Sequence, residues 1–282
     1  MARELEKHQL IERSIQKKYR KEIWNKFISA VKQYELIKEG DRIAVCISGG
    51  KDSMLLAKLM QLLKMHSDVP FELTFLVMDP GYNKTNLDKI ISNAEELKIP
   101  ITIFKTNIFS VADNVANKSK EKLDRSACYL CAKMRRGHLY SKAKELGCNK
   151  IALGHHFSDV VETTVLGMFY GSQLQAMMPK LRSKNFENME LIRPMFMIHE
   201  DSILAWCRYN NLEFIRCACL FTDTADCDDS SKRKEIKNLI KELKKTNPNI
   251  EKSIFSSIHN CMLDTMITYK TKGETHSFLD NY

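Results

Sequence analysis

The chain has 282 residues, of which 44% are hydrophobic and 28% are charged, so it can bury a full-sized core without disulfide support. General disorder is therefore excluded. Lys and Arg number 44 against 35 Asp and Glu, and the net charge of +9 favours an anionic partner such as a nucleic acid or a nucleotide. The nine cysteines are an odd number, so intramolecular disulfides cannot account for all of them. They raise the question of metal binding or catalysis.

The N-terminus is charged from its third residue and contains no apolar segment typical of a signal peptide. Nowhere does the chain contain the run of about 18 apolar residues that a membrane span requires. We therefore expect a cytoplasmic protein without a membrane partner. In that reducing compartment, closely spaced cysteines bind metal or perform redox chemistry more often than they form structural disulfides.

Apolar strands alternate with helices through most of the chain. Basic helices are predicted within 3–36. Strands are predicted at 43–47, 73–78, 101–104 and 150–153, and helices after residue 50 and at 86–97, 131–146 and 159–170. This alternation indicates an α/β fold with a mostly parallel sheet and helices on both faces. Ligands of such sheets bind beyond the carboxyl ends of the strands.

The last third of the chain is less regular. The pattern there predicts a helix at 200–210, a strand at 213–215, a basic helix at 231–245, a last helix at 250–267 and a polar tail. We divide the chain into a basic N-terminal helical appendage (1–39), a central α/β domain (40–220) and a basic C-terminal helical region (221–282).

The segment Ser48-Gly-Gly-Lys-Asp-Ser53 directly follows the first strand and opens a helix. Backbone N–H groups at a helix N-terminus converge on an anion, the glycines allow a phosphate to approach, and Lys51 adds a positive charge. It is not a Walker A loop, because Val45 occupies the first glycine position and Asp52 follows the lysine. The alternative is an ordinary glycine turn that caps a helix. We predict that phosphate is bound by Ser48, Gly49, Gly50, Lys51, Asp52 and Ser53.

This segment resembles the PP-loop of the ATP-pyrophosphatase superfamily, whose members cleave ATP between the α- and β-phosphates. Four further segments resemble the tRNA 2-thiocytidine synthetase branch of that superfamily. They are Cys128-Tyr-Leu-Cys131, Arg135-Arg136-Gly137, Leu153-Gly-His-His156 with Asp159 and Thr163, and Met168-Phe-Tyr-Gly171. The resemblance implies an adenine nucleotide alpha hydrolase-like fold, which makes 40–220 a PP-loop ATP-binding catalytic domain. It also implies ATP and Mg²⁺ as ligands.

A second loop, after the strand at 150–153, ends in Ser158-Asp159, where the family commonly carries two adjacent acids. The resemblance implies that Asp159 acts in acid–base chemistry or holds Mg²⁺. The alternative is helix capping, since Glu162 follows three residues later. His155 and His156 are adjacent and point apart, which favours structural hydrogen bonds over a shared metal ion.

Cys128 and Cys131 form a C-x-x-C at a predicted loop-to-helix boundary, a spacing that lets both thiolates bind one metal ion or cluster. Cys217 and Cys219 follow another predicted strand. Three thiolates suit a [4Fe–4S] cluster with one open iron, whereas structural zinc requires four ligands. Zinc and a redox disulfide remain alternatives for the first pair. Packing as small apolar residues is predicted for Cys46, Cys148, Cys207 and Cys261.

The family resemblance implies that the C-x-x-C and one distant cysteine hold a [4Fe–4S] cluster. We assign Cys219 as that third ligand, with Cys217 as the alternative, because this chain has one residue fewer between the two than the family pattern. The resemblance further implies an ATP-dependent tRNA sulfurtransferase that adenylates C2 of cytidine 32 in the anticodon loop and replaces its oxygen by sulfur. Asp159, Lys51 and Arg135 are the predicted catalytic residues.

The partners implied are tRNA, a sulfur donor such as a cysteine desulfurase, and a second copy of the chain in a homodimer. Basic segments at 17–21 and 232–245 suit phosphate contacts, although solvated helix faces explain such charge equally well.

Three alternative functions remain. A tRNA 2-thiouridine synthetase belongs to the same superfamily, but its zinc-finger members carry additional cysteine pairs that this chain lacks. Lysidine synthetase shares the glycine loop and does not need the cysteines. A zinc-stabilised RNA-binding protein without catalysis would not need the phosphate loop.

Overall fold

The computed structural model describes residues 5–108, 124–215 and 232–282. Its α-helices are α1 (Lys7–Gln16), α2 (Asn25–Gln33), α3 (Lys51–His66), α4 (Lys84–Glu96), α5 (Asp124–Glu145), α6 (Phe157–Gly171), α7 (Glu200–Tyr209), α8 (Lys232–Thr246) and α9 (Ile250–Ser257). Its strands are β1 (Arg42–Ile47), β2 (Glu72–Asp79), β3 (Ile101–Lys105), β4 (Lys150–Ala152), β5 (Lys180–Arg182), β6 (Glu190–Ile192), β7 (Thr268–Thr271) and β8 (Glu274–Ser277). A π-helical turn, Arg20–Trp24, precedes α2.

The described residues divide into two compact units. The first comprises Met1–Asp159 and Met178–Ser230, and the second comprises Val160–Met177 and Ser231–Tyr282. The boundaries predicted at residues 40 and 220 stay predictions.

The first unit contains a six-stranded sheet in the order β3-β2-β1-β4-β6-β5. Only β5 runs antiparallel to its neighbour, at the edge of the sheet. The carboxyl ends of β1, β2, β4 and β6 therefore lie on one side, and the loops that follow them converge there. This confirms the predicted mostly parallel α/β fold.

Strand β1 shows why the sheet carries helices on both faces. Successive strand side chains point to opposite faces, so Ile43, Val45 and Ile47 enter one hydrophobic cluster. Ala44 and Cys46 enter another. The first cluster includes side chains from α1, α2, α3 and α7, and the second includes side chains from α5. A strand buried on both faces reads as a continuous apolar run, which is the signal in the sequence.

The second unit contains the end of the chain, where the predicted extent of the last helix and the predicted polar tail were wrong. Helix α9 ends at Ser257 instead of continuing to Ile267, and the predicted polar tail contains the hairpin of β7 and β8. The C-terminal region is thus not helical throughout. In the first unit, Glu213–Ile215 is irregular where a strand was predicted. Among the described residues, no helix is both long enough and apolar enough to cross a membrane.

Candidate active site

The phosphate loop joins β1 to α3 at the carboxyl edge of the sheet. Gly49 has a φ of +87°, and a Cβ there would lie 2.5 Å from Cγ1 of Ile90, so neither the backbone nor the space admits a side chain. Gly50 is the N-cap of α3, and it offers no side chain to occupy the first N–H groups of the helix. These N–H groups are the donors that a phosphate requires.

Two serines fix the shape of this loop. Ser53 Oγ donates a hydrogen bond to the Gly50 carbonyl (3.0 Å) and accepts one from the Ser48 backbone N–H (3.1 Å). The Ser48 hydroxyl also lies 3.2 Å from Ser53 Oγ. The chain's own hydrogen bonds therefore close the loop across its base, which reduces the ordering cost of binding a ligand.

Lys51 is the first residue of α3, and its ammonium lies between two carboxylates. Nζ is 3.0 Å from Asp52 Oδ2 and 3.2 Å from Glu200 Oε1. Burial lowers the pKa of Lys51, but the charges and hydrogen bonds of Asp52 and Glu200 outweigh that effect and raise the pKa overall. Lys51 is thus held protonated. Glu200, in the first turn of α7, was not predicted, because it lies far from Lys51 in the sequence.

The second loop, between β4 and α6, packs directly against the phosphate loop. A Cβ on Gly154 would lie 3.1 Å from the backbone carbon of Asp52 and 3.1 Å from the backbone nitrogen of Ser53. The glycine is therefore needed for close approach, and it brings the two motif loops into contact.

Asp159 caps α6, but with a different partner from the one predicted. Its Oδ2 accepts the backbone N–H of His156 at 2.9 Å, and its own backbone N–H donates to His156 Nδ1 at 3.3 Å. The capping box therefore joins residues 156 and 159 instead of 159 and 162. Glu162 forms an ion pair with Arg233 in the second unit.

A cleft of about 390 Å³ opens where these loops meet. Ser48, Asp52 and Ser53 line one part of it, and Asp159 and Arg135 line another. Five of the predicted binding and catalytic residues therefore line one cleft. Lys51 does not line the cleft and lies beside it, between its two carboxylates. The volume falls in the range of small-molecule sites.

Three arginines and a tyrosine lie in or near the cleft. Arg135 donates from Nη2 to the Tyr82 hydroxyl at 3.3 Å, which links α5 to the segment after β2. Arg136 also lines the cleft. Arg193, directly after β6, is only 7% exposed, and burial together with the charge of Arg136 lowers its pKa to about 10. The motif analysis missed Tyr82 and Arg193, since neither lies in a recognisable segment.

The predicted cluster ligands are described only in part. Helix α5 begins at Asp124, earlier than predicted, so Cys128 and Cys131 lie within the helix and not at its boundary. Three residues apart on a helix, the two positions share one face. Cys217 and Cys219 lie outside the described residues.

The other cysteines separate into buried and exposed thiols. Cys46, Cys148 and Cys207 are buried, as predicted. Burial raises the pKa of Cys46 to about 12 and that of Cys207 to about 11, so both thiols are unreactive at neutral pH. Cys261 is exposed beyond the end of α9, so its predicted packing was wrong.

Comparison with known proteins identifies the family. A PP-loop domain profile matches residues 13–243. The tRNA-cytidine(32) 2-sulfurtransferase of Geobacter sulfurreducens is 36% identical over 240 residues, which cover 85% of this chain and 90% of that protein. The enzyme of the same name from Geotalea uraniireducens is 35% identical over 251 residues, or 88% and 96% of the two chains. The chain belongs to the tRNA-cytidine(32) 2-sulfurtransferase family.

A solved structure supports the fold of this family member. The U34-tRNA thiolase NcsA from Methanococcus maripaludis, determined with its [4Fe–4S] cluster, superposes with a TM-score of 0.64. It is 20% identical and covers 89% of this chain and 82% of its own. The likeness confirms the PP-loop architecture. In this member of the sulfurtransferase family, the cleft at the carboxyl edge of the sheet is the candidate nucleotide site.

Proposed function

We propose that the protein is an ATP-dependent tRNA sulfurtransferase that replaces the C2 oxygen of cytidine 32 by sulfur. The relatives bear that activity in their names. The observation that carries the proposal is the cleft at the carboxyl edge, in which the phosphate loop meets Asp159 and Arg135. A structural RNA-binding protein would have no use for a closed phosphate loop with a charged lysine beside it.

ATP would bind with its phosphates on the loop from Ser48 to Ser53. The first N–H groups of α3 point to the phosphates, and Lys51 exchanges its carboxylate contacts for phosphate oxygens. Because Lys51 keeps a quarter of its side chain exposed, it can make that exchange without crossing the core.

The residues present fit a Mg²⁺ ion bound together with ATP. Asp52 Oδ1 is buried and accepts no hydrogen bond from any described residue, and Asp159 lines the same cleft. The described residues contain no group of three or more metal-binding side chains. Mg²⁺ is usually held by one or two carboxylates plus the substrate phosphates, so two aspartates suffice.

The adenylation step assigns a role to each residue. The C2 oxygen of the base attacks the α-phosphate, the bond to the β-phosphate breaks, and pyrophosphate leaves. Arg135 and Lys51 offset the charge that develops on the phosphate oxygens. Asp159 holds the metal or accepts a proton, and the capping box fixes its carboxylate for either task. Sulfur then replaces the adenylated oxygen, and AMP departs.

We assign the sulfur chemistry to a [4Fe–4S] cluster on Cys128, Cys131 and Cys219, with Cys217 as the alternative third ligand. Three thiolates leave one iron open, and the spacing of the first two on α5 suits a shared cluster. When bound, the cluster would hold sulfide from the sulfur donor for transfer to C2. Replacing Cys217 and Cys219 separately by alanine and measuring iron identifies the third ligand, because only one of the two variants should lose iron.

A basic groove in the first unit suits the tRNA backbone. It has a volume of about 640 Å³ and is lined by Arg13, Lys17 and Lys18, and no acidic side chain of the described residues lines it. Lys18 lies 3.9 Å from the ring centroid of Tyr209, which is 53% exposed. Cations beside an exposed aromatic ring suit phosphates and a base.

The basic helix α8 is a weaker candidate for the same role. Arg233, Lys244 and Lys245 are engaged in ion pairs with carboxylates of the second unit. We therefore expect Lys17→Glu with Lys18→Glu to weaken tRNA binding and to lower its salt dependence by one to two counterions, at about 0.9 per phosphate contact. Reversal of Lys241 and Lys245 on α8 is the matched control, and an equal loss there would contradict the assignment.

Nucleoside analysis of tRNA tests the proposed function as a whole. Cells without the gene should lack 2-thiocytidine, and the gene should restore it. Loss of 2-thiouridine instead would identify a 2-thiouridine synthetase, and loss of lysidine would identify a lysidine synthetase. Protein purified without oxygen should contain about four irons; stoichiometric zinc without iron would contradict the sulfur chemistry and support the zinc-stabilised alternative.

The remaining partners are part of the same proposal. A cysteine desulfurase is the class of sulfur donor we expect, and a homodimer is the expected assembly. The proposed tRNA substrate is consistent with a cytoplasmic enzyme.

A further inference from the structure

The imidazole of His156 lies between the two motif loops and is 4% exposed. Nδ1 accepts the backbone N–H of Asp159 at 3.3 Å, in the capping box at the start of α6. An imidazole nitrogen that accepts a backbone N–H carries no proton of its own. With Nδ1 as the acceptor, the ring carries its proton on Nε2, at the other end of the imidazole.

A carboxylate of the phosphate loop lies close to that nitrogen. His156 Nε2 lies 3.7 Å from Asp52 Oδ1. This oxygen is buried and accepts no hydrogen bond from the described residues, whereas Asp52 Oδ2 already accepts from Lys51 at 3.0 Å. At 3.7 Å the two atoms lie just beyond hydrogen-bond distance, and an approach of about 0.5 Å would let Nε2 donate to Oδ1. A buried carboxylate oxygen without a donor is costly, and the geometry offers His156 as the donor.

We propose that His156 is a positioning residue, which donates from Nε2 to Asp52 and so aims the Asp52 carboxylate at the phosphate site. The proposal rests on the proposed function, because Asp52 matters only if ATP with its metal binds at this loop. The cap at Nδ1 fixes the tautomer, and the tautomer makes Nε2, the nitrogen that faces Asp52, a hydrogen-bond donor. The start of α6 thereby controls a side chain on α3.

Two substitutions separate the two ends of the imidazole. In His156→Asn, the amide oxygen takes the place of Nδ1 and keeps the cap, while the donor toward Asp52 is lost. In His156→Gln, the amide nitrogen takes the place of Nε2 and keeps the donor, while the cap is lost. If His156 is purely structural, the variant that is less stable should also bind the ligand more weakly. If His156 positions Asp52, the less stable variant, His156→Gln, should bind the ligand better than His156→Asn.

The experiment measures the melting temperature, the affinity for ATP with Mg²⁺ by calorimetry, and kcat and KM for thiolation. We expect His156→Asn to melt like the wild type but to bind ATP with Mg²⁺ about tenfold to 100-fold more weakly, as is typical for residues that orient metal-binding carboxylates. We expect His156→Gln to melt at a lower temperature and to bind ATP within about threefold of the wild type. Wild-type affinity in His156→Asn overturns the proposal.

Two further readouts guard against a simple folding defect. Nitrogen-15 NMR of the wild-type histidines should show His156 protonated at Nε2, and protonation at Nδ1 would contradict the inference. In a double-mutant cycle, adding His156→Asn to Asp52→Asn should weaken ATP binding no further, since His156 acts through Asp52. If the wild-type protein itself neither binds ATP nor thiolates tRNA, the proposed function fails; if it does both and the cycle is additive, only this inference fails.

Discussion

Two lysines on the same helix show how differently a buried charge can be used. Lys51 and Lys58 are separated by two turns of α3, and each contacts a carboxylate at about the same distance. Lys51 lies at the N-terminus, beside the cleft, and keeps part of its side chain exposed. Lys58 is 0% exposed and pairs with Glu12 of α1 at 2.9 Å and with Gln61 at 2.7 Å.

The pKa values of the two lysines move in opposite directions. Two carboxylates raise the pKa of Lys51 in spite of its burial. Burial lowers the pKa of Lys58, and Glu12 restores only part of it. Lys51 is thus a partly exposed cation that can bind an anion, whereas Lys58 is a cation buried between α1 and α3. The comparison predicts that one acts on activity and the other on stability.

Lys51→Ala should produce the largest effect. Removing the charge beside the phosphate loop should lower kcat/KM for thiolation by about 100-fold to 1,000-fold, because the developing phosphate charge loses its partner. Stability should change by less than about 1 kcal/mol, since the pair is partly exposed. Steady-state kinetics and thermal unfolding measure the two effects, and near-normal activity would end the distinction between the two lysines.

Glu12→Gln should have the largest effect on stability. It leaves the Lys58 charge buried without a carboxylate, which should cost about 3 kcal/mol of unfolding free energy. The double substitution Glu12→Gln with Lys58→Met is the matched control, and it should be close to neutral because neither charge of the pair remains. Denaturant unfolding measures both, and thiolation activity should be retained in both.

The pH dependence of the Glu12→Gln defect follows from the lowered pKa of Lys58. In the folded variant this pKa falls further below its ordinary value of 10.5, whereas the unfolded chain keeps that value. The penalty is complete while Lys58 is protonated in both states. It should shrink as the pH rises through the folded-state pKa, since the buried group then loses its charge. A defect that grows with pH would contradict this account of Lys58.

Much of the fold could be predicted because its signals are local. The apolar run of β1 and the glycine loop after it predicted a strand, a loop and a helix, and the structure has that loop at the carboxyl edge of the sheet. The strands β5 and β6 are three residues each, too short to give a period, and the hairpin of β7 and β8 is exposed and polar. Pattern alone could not identify these elements.

The missing parts of the site depend on tertiary contacts. Glu200 reaches Lys51 only because α7 packs against α3, and nothing in its own segment marks it. His156 was predicted to form structural hydrogen bonds, but its contact with Asp52 requires two loops from different parts of the chain. Residues within a motif could be found by reading along the chain, whereas their partners could not.

Gly154→Ala should have an intermediate effect on stability and on ATP binding. Gly154 lies in the loop after β4 and packs against the first turn of α3. Its Cβ would lie 3.1 Å from the Asp52 backbone, which cannot move without shifting the phosphate loop. We expect a loss of about 1 to 2 kcal/mol in stability and a weaker affinity for ATP. Gly137→Ala in α5 is the control: it meets nothing within 4 Å, and it should stabilise the helix by about 0.5 to 1 kcal/mol. Equal effects of the two substitutions would show that the loops do not depend on close contact.

Lys64→Ala should have the smallest effect, although it removes the shortest ion pair of the three. Lys64 Nζ lies 2.6 Å from Glu72 Oε2 near the end of α3, and its hydrogen bond and charge lower the pKa of Glu72. Both side chains are exposed, so water and salt screen the pair. The melting temperature should stay within experimental error at low and at high salt. A drop comparable to that of Glu12→Gln would mean that distance, and not burial, ranks these pairs, which would remove the basis for separating Lys51 from Lys58.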